Sequence, residues 1–184
     1  MKTRKLTTMA MLFALALILS ALESMIPPIT GMIPGIKMGL SNIVVMYTLF
    51  FLGLSYAALL AVMKSIFILS IRGLVSAMLS FSGGLASVLV IFCLTQCQKA
   101  DFSYVFLSIC GAVTHNILQL GLAVLITGSV FTAAYLPILV IAGVMMGIMT
   151  GTILRILAPF FSAFQKEEKK KPPDPLMERA DLHK

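Results

Sequence analysis

The sequence predicts an all-α membrane protein whose six transmembrane helices pack in one bundle. Two observations predict it. Of the 184 residues, 59% are hydrophobic and 11% charged, where a soluble domain carries roughly a quarter charged; the mean hydropathy is +1.03. The charge is also unevenly placed. Of the 14 basic and 7 acidic residues, 11 lie in the last twenty positions. Residues 1–164 therefore read as a transmembrane domain. Residues 165–184 read as a charged cytoplasmic tail, expected to be disordered because its charge density and Pro172, Pro173 and Pro175 oppose packing.

A spanning helix needs about 20 apolar residues. The first candidate runs from about Leu6 to Ile26. Its basic start imitates a signal peptide, but the apolar run is long, lacks a good small-x-small cleavage site and is followed by five more spans. It reads as an uncleaved first helix. Pro27 and Pro28 stop it, since proline lacks the donor and clashes with the preceding turn. The second span, Leu40 to Gly53, and the third, Ser55 to Ile71, are short. The fourth covers about Val75 to Thr95, the fifth Phe102 to Thr127, and the sixth Ala133 to Phe160.

Orientation follows from Lys and Arg near the span ends. Lys2, Arg4, Lys5, Lys99, Arg155 and Lys166 to Lys171 fall on one side of a six-span chain, and only Lys37 and Arg72 on the other. Both termini are thus expected in the cytoplasm. The basic residues form no folded basic face, so the net charge of +7 suits membrane orientation and anionic headgroups, not nucleic acid. Cys93, Cys97 and Cys110 lie in or beside apolar segments; Cys93 and Cys97 share a helix face with no His or other ligand nearby, and all three read as small buried hydrophobes.

Ionisable groups at membrane depth are expensive and mark candidate sites. Glu23 lies near the outer end of the first span, Lys64 in the middle of the third and Arg72 at its outer end. His115 lies in the middle of the fifth, with Asn116 beside it and Gln119 one turn on. All fall between the midplane and the outer surface. The segment Ala21–Asn42, rich in Pro and Gly, lies over that half as a lid carrying Lys37, and Asn42 opens the second helix. Glu23, Lys37, Asn42, Lys64, Arg72, His115, Asn116 and Gln119 are the expected substrate-binding set. A buried Lys64–Glu23 ion pair and interhelical hydrogen bonds from His115 and Asn116 are the structural alternative.

Two stripes of small residues stand out. Ala10 and Ala14 share one face of the first helix with Ala21, opposite Glu23; Gly143, Gly147 and Gly151 recur at four-residue steps in the sixth span. Such stripes let helices approach closely. Internal packing is the expectation for the glycines, and close packing or a kink for Ser80 to Gly84. There is no phosphate-binding loop, no His/Glu metal motif and no nucleophile elbow. Asp occurs only at Asp101, Asp174 and Asp181, never paired. Prenyl diphosphate synthesis needs clustered Asp to hold Mg²⁺ against the diphosphate, so the chain does not catalyse it unaided.

Three stretches, Ala21–Val45, Ser80–Ser87 and Gly111–Leu120, resemble a family of small bacterial membrane proteins labelled heptaprenyl diphosphate synthase component I or Gx transporter. The likeness runs from about Lys5 to Leu157. In layout the family is similar to the substrate-binding S components of energy-coupling factor (ECF) transporters. That resemblance implies six helices, a pocket in the outer half under the first loop, and an Ala-x3-Ala face, here Ala10 and Ala14, that meets a coupling subunit. It implies a non-enzymatic multi-pass subunit of the bacterial cell membrane, with no cofactor of its own. Such a subunit captures a small solute, and coupling and ATPase subunits drive its release inward. The other label implies a non-catalytic membrane accessory subunit of a heptaprenyl or polyprenyl diphosphate synthase in quinone biosynthesis.

Overall fold

The computed structural model describes residues 2–25, 40–96 and 102–170. Among them there are six helices and no strand. These are α1 (Lys2–Met25), α2 (Asn42–Leu52), α3 (Leu54–Arg72), α4 (Leu74–Gln96), α5 (Tyr104–Thr127) and α6 (Leu136–Lys170), with a 3-10 turn (Val130–Tyr135) leading into α6.

Five of the helices are long and apolar enough to cross a membrane. The exception is α2, whose 11 residues reach only about 16 Å against about 30 Å of hydrocarbon. Seven of its residues are buried, Val44 to Leu49 continuously. A helix apolar on all sides belongs inside a bundle, and α2 lies against the core formed by Leu60, Val88, Ile91, Leu107 and Leu154. The other helices turn large apolar side chains outward, among them Ile66, Leu125, Ile141 and Met145. This inverts the pattern of a soluble protein and suits contact with lipid.

Helix boundaries follow local chemistry. Ser103 caps α5, its hydroxyl accepting from the Val105 N–H at 3.3 Å, and Gly128 ends it in the left-handed conformation at φ 62°. A single residue, Gly53, joins α2 to α3 at φ 100°, ψ 175°, a region essentially closed to residues with a Cβ. A methyl at Gly53 meets nothing within 4 Å, so its whole cost is backbone conformation. Gly53→Ala is expected to lower stability in detergent by about 1–3 kcal/mol, seen as a reduced unfolding midpoint; an unchanged midpoint contradicts the joint.

The sixth helix departs from the expected span at both ends. The 3-10 turn replaces its first residues, and Pro137 lies in the first turn, where a missing N–H is tolerated. At the other end α6 continues to Lys170, because Glu167, Glu168, Lys169 and Lys170 are strong helix formers. Its 35 residues reach about 52 Å. Residues 171–184 of the expected tail lie outside the described residues.

The tightest seam joins α5 and α6. A Cβ added at Gly147 would lie 2.5 Å from the Ile109 Cα, and one at Gly151 would lie 2.5 Å from the Val105 Cα. The glycine stripe therefore packs internally, as expected. Cys93 corrects the sequence reading. It is exposed, not buried, and Cys110 is half-buried; both positions are on helix faces that an apolar environment covers equally well. Cys97 lies outside the described residues.

Candidate functional site

Polar side chains from α2, α3, α4, α5 and α6 gather where α2 begins. The centre is Lys64, 2% exposed. Its ammonium donates to the Ser41 hydroxyl at 3.2 Å and to the Asn42 Oδ1 at 3.0 Å. The middle of α3 is thus tied to the first turn of α2. Ser41 is the residue before that helix, yet its side chain makes no capping bond to the backbone; its oxygen serves Lys64 instead.

On α5 the residues Ser108, Ala112, His115, Asn116 and Gln119 recur at helical spacing. All but Ala112 are buried. The His115 ring lies against the backbone of α4, since a Cβ at Gly83 would be 2.8 Å from its Nδ1 and 3.0 Å from its carbonyl oxygen. Gly83 and His115 are therefore two sides of one contact, while the neighbouring Gly84 faces the Ala61 side chain of α3. Lower on the same seam, a Cβ at Gly111 would be 3.1 Å from the Ser87 hydroxyl. Gly83→Ala is expected to push the ring out of place and cost about 1–3 kcal/mol, as overpacking does; an unshifted His115 imidazole resonance and wild-type stability would contradict the contact.

Asn116 donates from Nδ2 to the Leu139 carbonyl at 2.9 Å. Gly143 allows this approach, because a Cβ there would be 3.1 Å from that nitrogen. Between α2, α4, α5 and α6 lies a small cavity lined by Asn42, Ser87, Ser108, His115, Asn116 and Thr150, with Met46 and Met146 as its apolar walls. Its volume, about 10 Å³, is room for about one water molecule or one ligand oxygen.

Of the expected binding residues, Asn42, His115 and Asn116 line this cavity, and Lys64 holds Asn42 from behind. Gln119 is buried one turn along α5. Glu23 is buried on α1 at 5% exposure. Arg72 is half-buried in the last turn of α3, where a cation suits the helix dipole. Lys37 lies outside the described residues, as do residues 26–39 of the expected Ala21–Asn42 lid; Ala21–Met25 end α1 and Asn42 begins α2. Ala10 and Ala14 are exposed on α1, while Ala16, Ser20 and Glu23 are buried.

The family model described as heptaprenyl diphosphate synthase component I matches residues 12–157. The chain belongs to this family. The match spans α2 to α5 whole and most of α1, and it reaches far enough along α6 to include all three glycines of its seam. A component I chain is by description one component of a prenyl diphosphate synthase, which implies a partner synthase component. No curated protein matches the chain, and no solved structure does.

Sequence reasoning missed Ser41, Ser87, Ser108 and Thr150. Single hydroxyls in apolar helices carry little signal alone. The usable signal was register: Ser108 precedes His115 by two turns on one face, and Thr150 lies between Gly147 and Gly151 on the face that meets α5.

Proposed function

We propose that this chain is the membrane-embedded, non-catalytic component of a prenyl diphosphate synthase, with catalysis carried by a separate chain. Membership of the component I family over residues 12–157 carries this reading. The sequence agrees on the division of labour, since its three Asp residues stand apart and cannot hold Mg²⁺ against a diphosphate as a cluster does. The buried polar group around Lys64 supplies a place to receive a polar headgroup from within a bundle whose outer surface is apolar. The test is affinity capture of the full chain from its native membranes. A stoichiometric prenyl synthase subunit supports the reading, and capture without one overturns it.

A second reading has its own observation. Ala10 and Ala14 are exposed on α1 while the acidic end of the same helix is buried, which leaves a smooth surface for another helix. On this reading the chain is an S-component-like subunit with six crossings and both termini cytoplasmic. It binds a small solute from outside, and coupling and ATPase subunits drive release. ATP-binding subunits in the same capture experiment support it, and Ala14→Leu is expected to abolish their binding without unfolding the chain.

A further inference from the structure

We propose that the cavity between α2, α4, α5 and α6 is an oxyanion subsite that receives a terminal oxygen of a phosphate or diphosphate group. Assigning the diphosphate to a prenyl chain rests on the synthase reading; the oxyanion chemistry does not.

The first observation is Ser108. Its side chain is wholly buried, lines the cavity and has no hydrogen-bond partner for its Oγ among the described residues. Hydroxyls in apolar helices commonly satisfy themselves on the carbonyl one turn back. Thr48, Ser65 and Thr152 do so here, at 2.8, 2.8 and 2.7 Å. Ser108 does not, although the Cys110-to-Tyr104 turn around it is regular helix. A buried hydroxyl left this way is costly, and a ligand oxygen in the cavity accepts a hydrogen bond from it.

The second observation is the polarity of the neighbours. The Oδ1 of Asn42 is committed to Lys64 at 3.0 Å, so its amide nitrogen, a donor, is the group left for the cavity. Ser41 leaves the start of α2 without a side-chain cap, and the positive end of a helix dipole favours an anion. The ammonium of Lys64 stands one residue behind. Among the described residues, no carboxylate lines the cavity. The Ser108 hydroxyl, the Asn42 amide nitrogen and the start of α2 favour a negative oxygen. The volume admits one oxygen-sized atom, which fits a single terminal phosphate oxygen with the rest of the ligand outside the cavity.

The test uses the full chain in nanodiscs of neutral phosphatidylcholine, titrated calorimetrically with inorganic phosphate, inorganic diphosphate, farnesyl diphosphate and farnesol. Diphosphate-bearing probes are expected to bind and farnesol to fail. Farnesyl diphosphate binding at least tenfold tighter than inorganic diphosphate identifies a prenyl diphosphate as the source; equal affinities identify the free anion. Ser108→Ala is expected to weaken diphosphate binding by about tenfold or more while unfolding no earlier than the unmutated chain, because no internal bond is lost. Asn42→Asp keeps the acceptor for Lys64 but sets a carboxylate in the cavity, and is expected to weaken binding by about tenfold or more. Ser70→Ala, on the exposed side of α3, is expected to bind as the unmutated chain does. No binding of any phosphate-bearing probe overturns the inference, as does unchanged affinity in both site variants. If a synthase subunit is captured but no phosphate probe binds, only this inference falls. If phosphate binds but no synthase is captured, only the synthase reading falls.

Discussion

Lys64→Ala is expected to lower the stability of the bundle by about 2–4 kcal/mol, measured from the denaturation midpoint in detergent. The substitution removes the donor that Ser41 and Asn42 both accept from. A hydrogen bond to a charged group is worth about 1.5–3 kcal/mol, and buried acceptors left behind keep their desolvation cost. Deleting a buried charge relieves some burial penalty, which is why the expected loss is smaller than two such bonds. The balance favours loss because Lys64 holds together two elements, the middle of α3 and the first turn of a helix too short to hold itself. Coupling decides the point. If the bond to Asn42 matters, Lys64→Ala and Asn42→Ala are non-additive, and their double mutant costs at least about 0.5 kcal/mol less than the sum. Additive losses contradict the tie.

Gly147→Leu is expected to be the most damaging single change on α6. Even a methyl at this position would lie 2.5 Å from the Cα and 2.8 Å from the backbone nitrogen of Ile109. Backbone cannot swing aside as a side chain can, so α6 must withdraw from α5. Withdrawal loosens Gly143 and Gly151 as well, and with Gly143 the bond from Asn116 to the Leu139 carbonyl. In a bilayer, close packing and interhelical hydrogen bonds drive helix association, with no hydrophobic effect to compensate. A loss of about 3 kcal/mol, the upper end of typical overpacking, is expected. Gly121→Ala is the matched control. Gly121 is exposed and a methyl there meets nothing within 4 Å, so the helix preference of Ala leaves that variant neutral or more stable by up to about 1 kcal/mol. Equal effects at Gly147 and Gly121 contradict the seam.

The contrast between these glycines shows what the sequence could and could not express. Long apolar runs set α3, α4 and α5 to within a residue or two, since apolar length alone decides a spanning helix. The four-residue glycine spacing pointed correctly to internal packing, but the partner, Ile109 and Val105 on α5, required the fold. The shortness of α2 was visible, while its burial on all sides was not, because a fully apolar segment reads alike whether it faces lipid or protein. That ambiguity also misplaced Cys93. Lys64 and His115 were legible because ionisable groups at membrane depth are rare. Ser108 and Ser87 were not, because serines are ordinary in apolar helices and only their neighbours across the cavity give them a role. The end of α6 was masked by charge: Glu167 to Lys170 look like a solvated tail and are good helix formers at once.

The central claim is that this chain completes a prenyl diphosphate synthase without catalysing the reaction. The most direct measurement is prenyl chain elongation by the captured catalytic subunit, reconstituted in vesicles with and without this chain. The account predicts that elongation to the full-length product depends on the chain, and that it is impaired when Lys64→Ala replaces it. Full activity from the catalytic subunit alone would contradict the account.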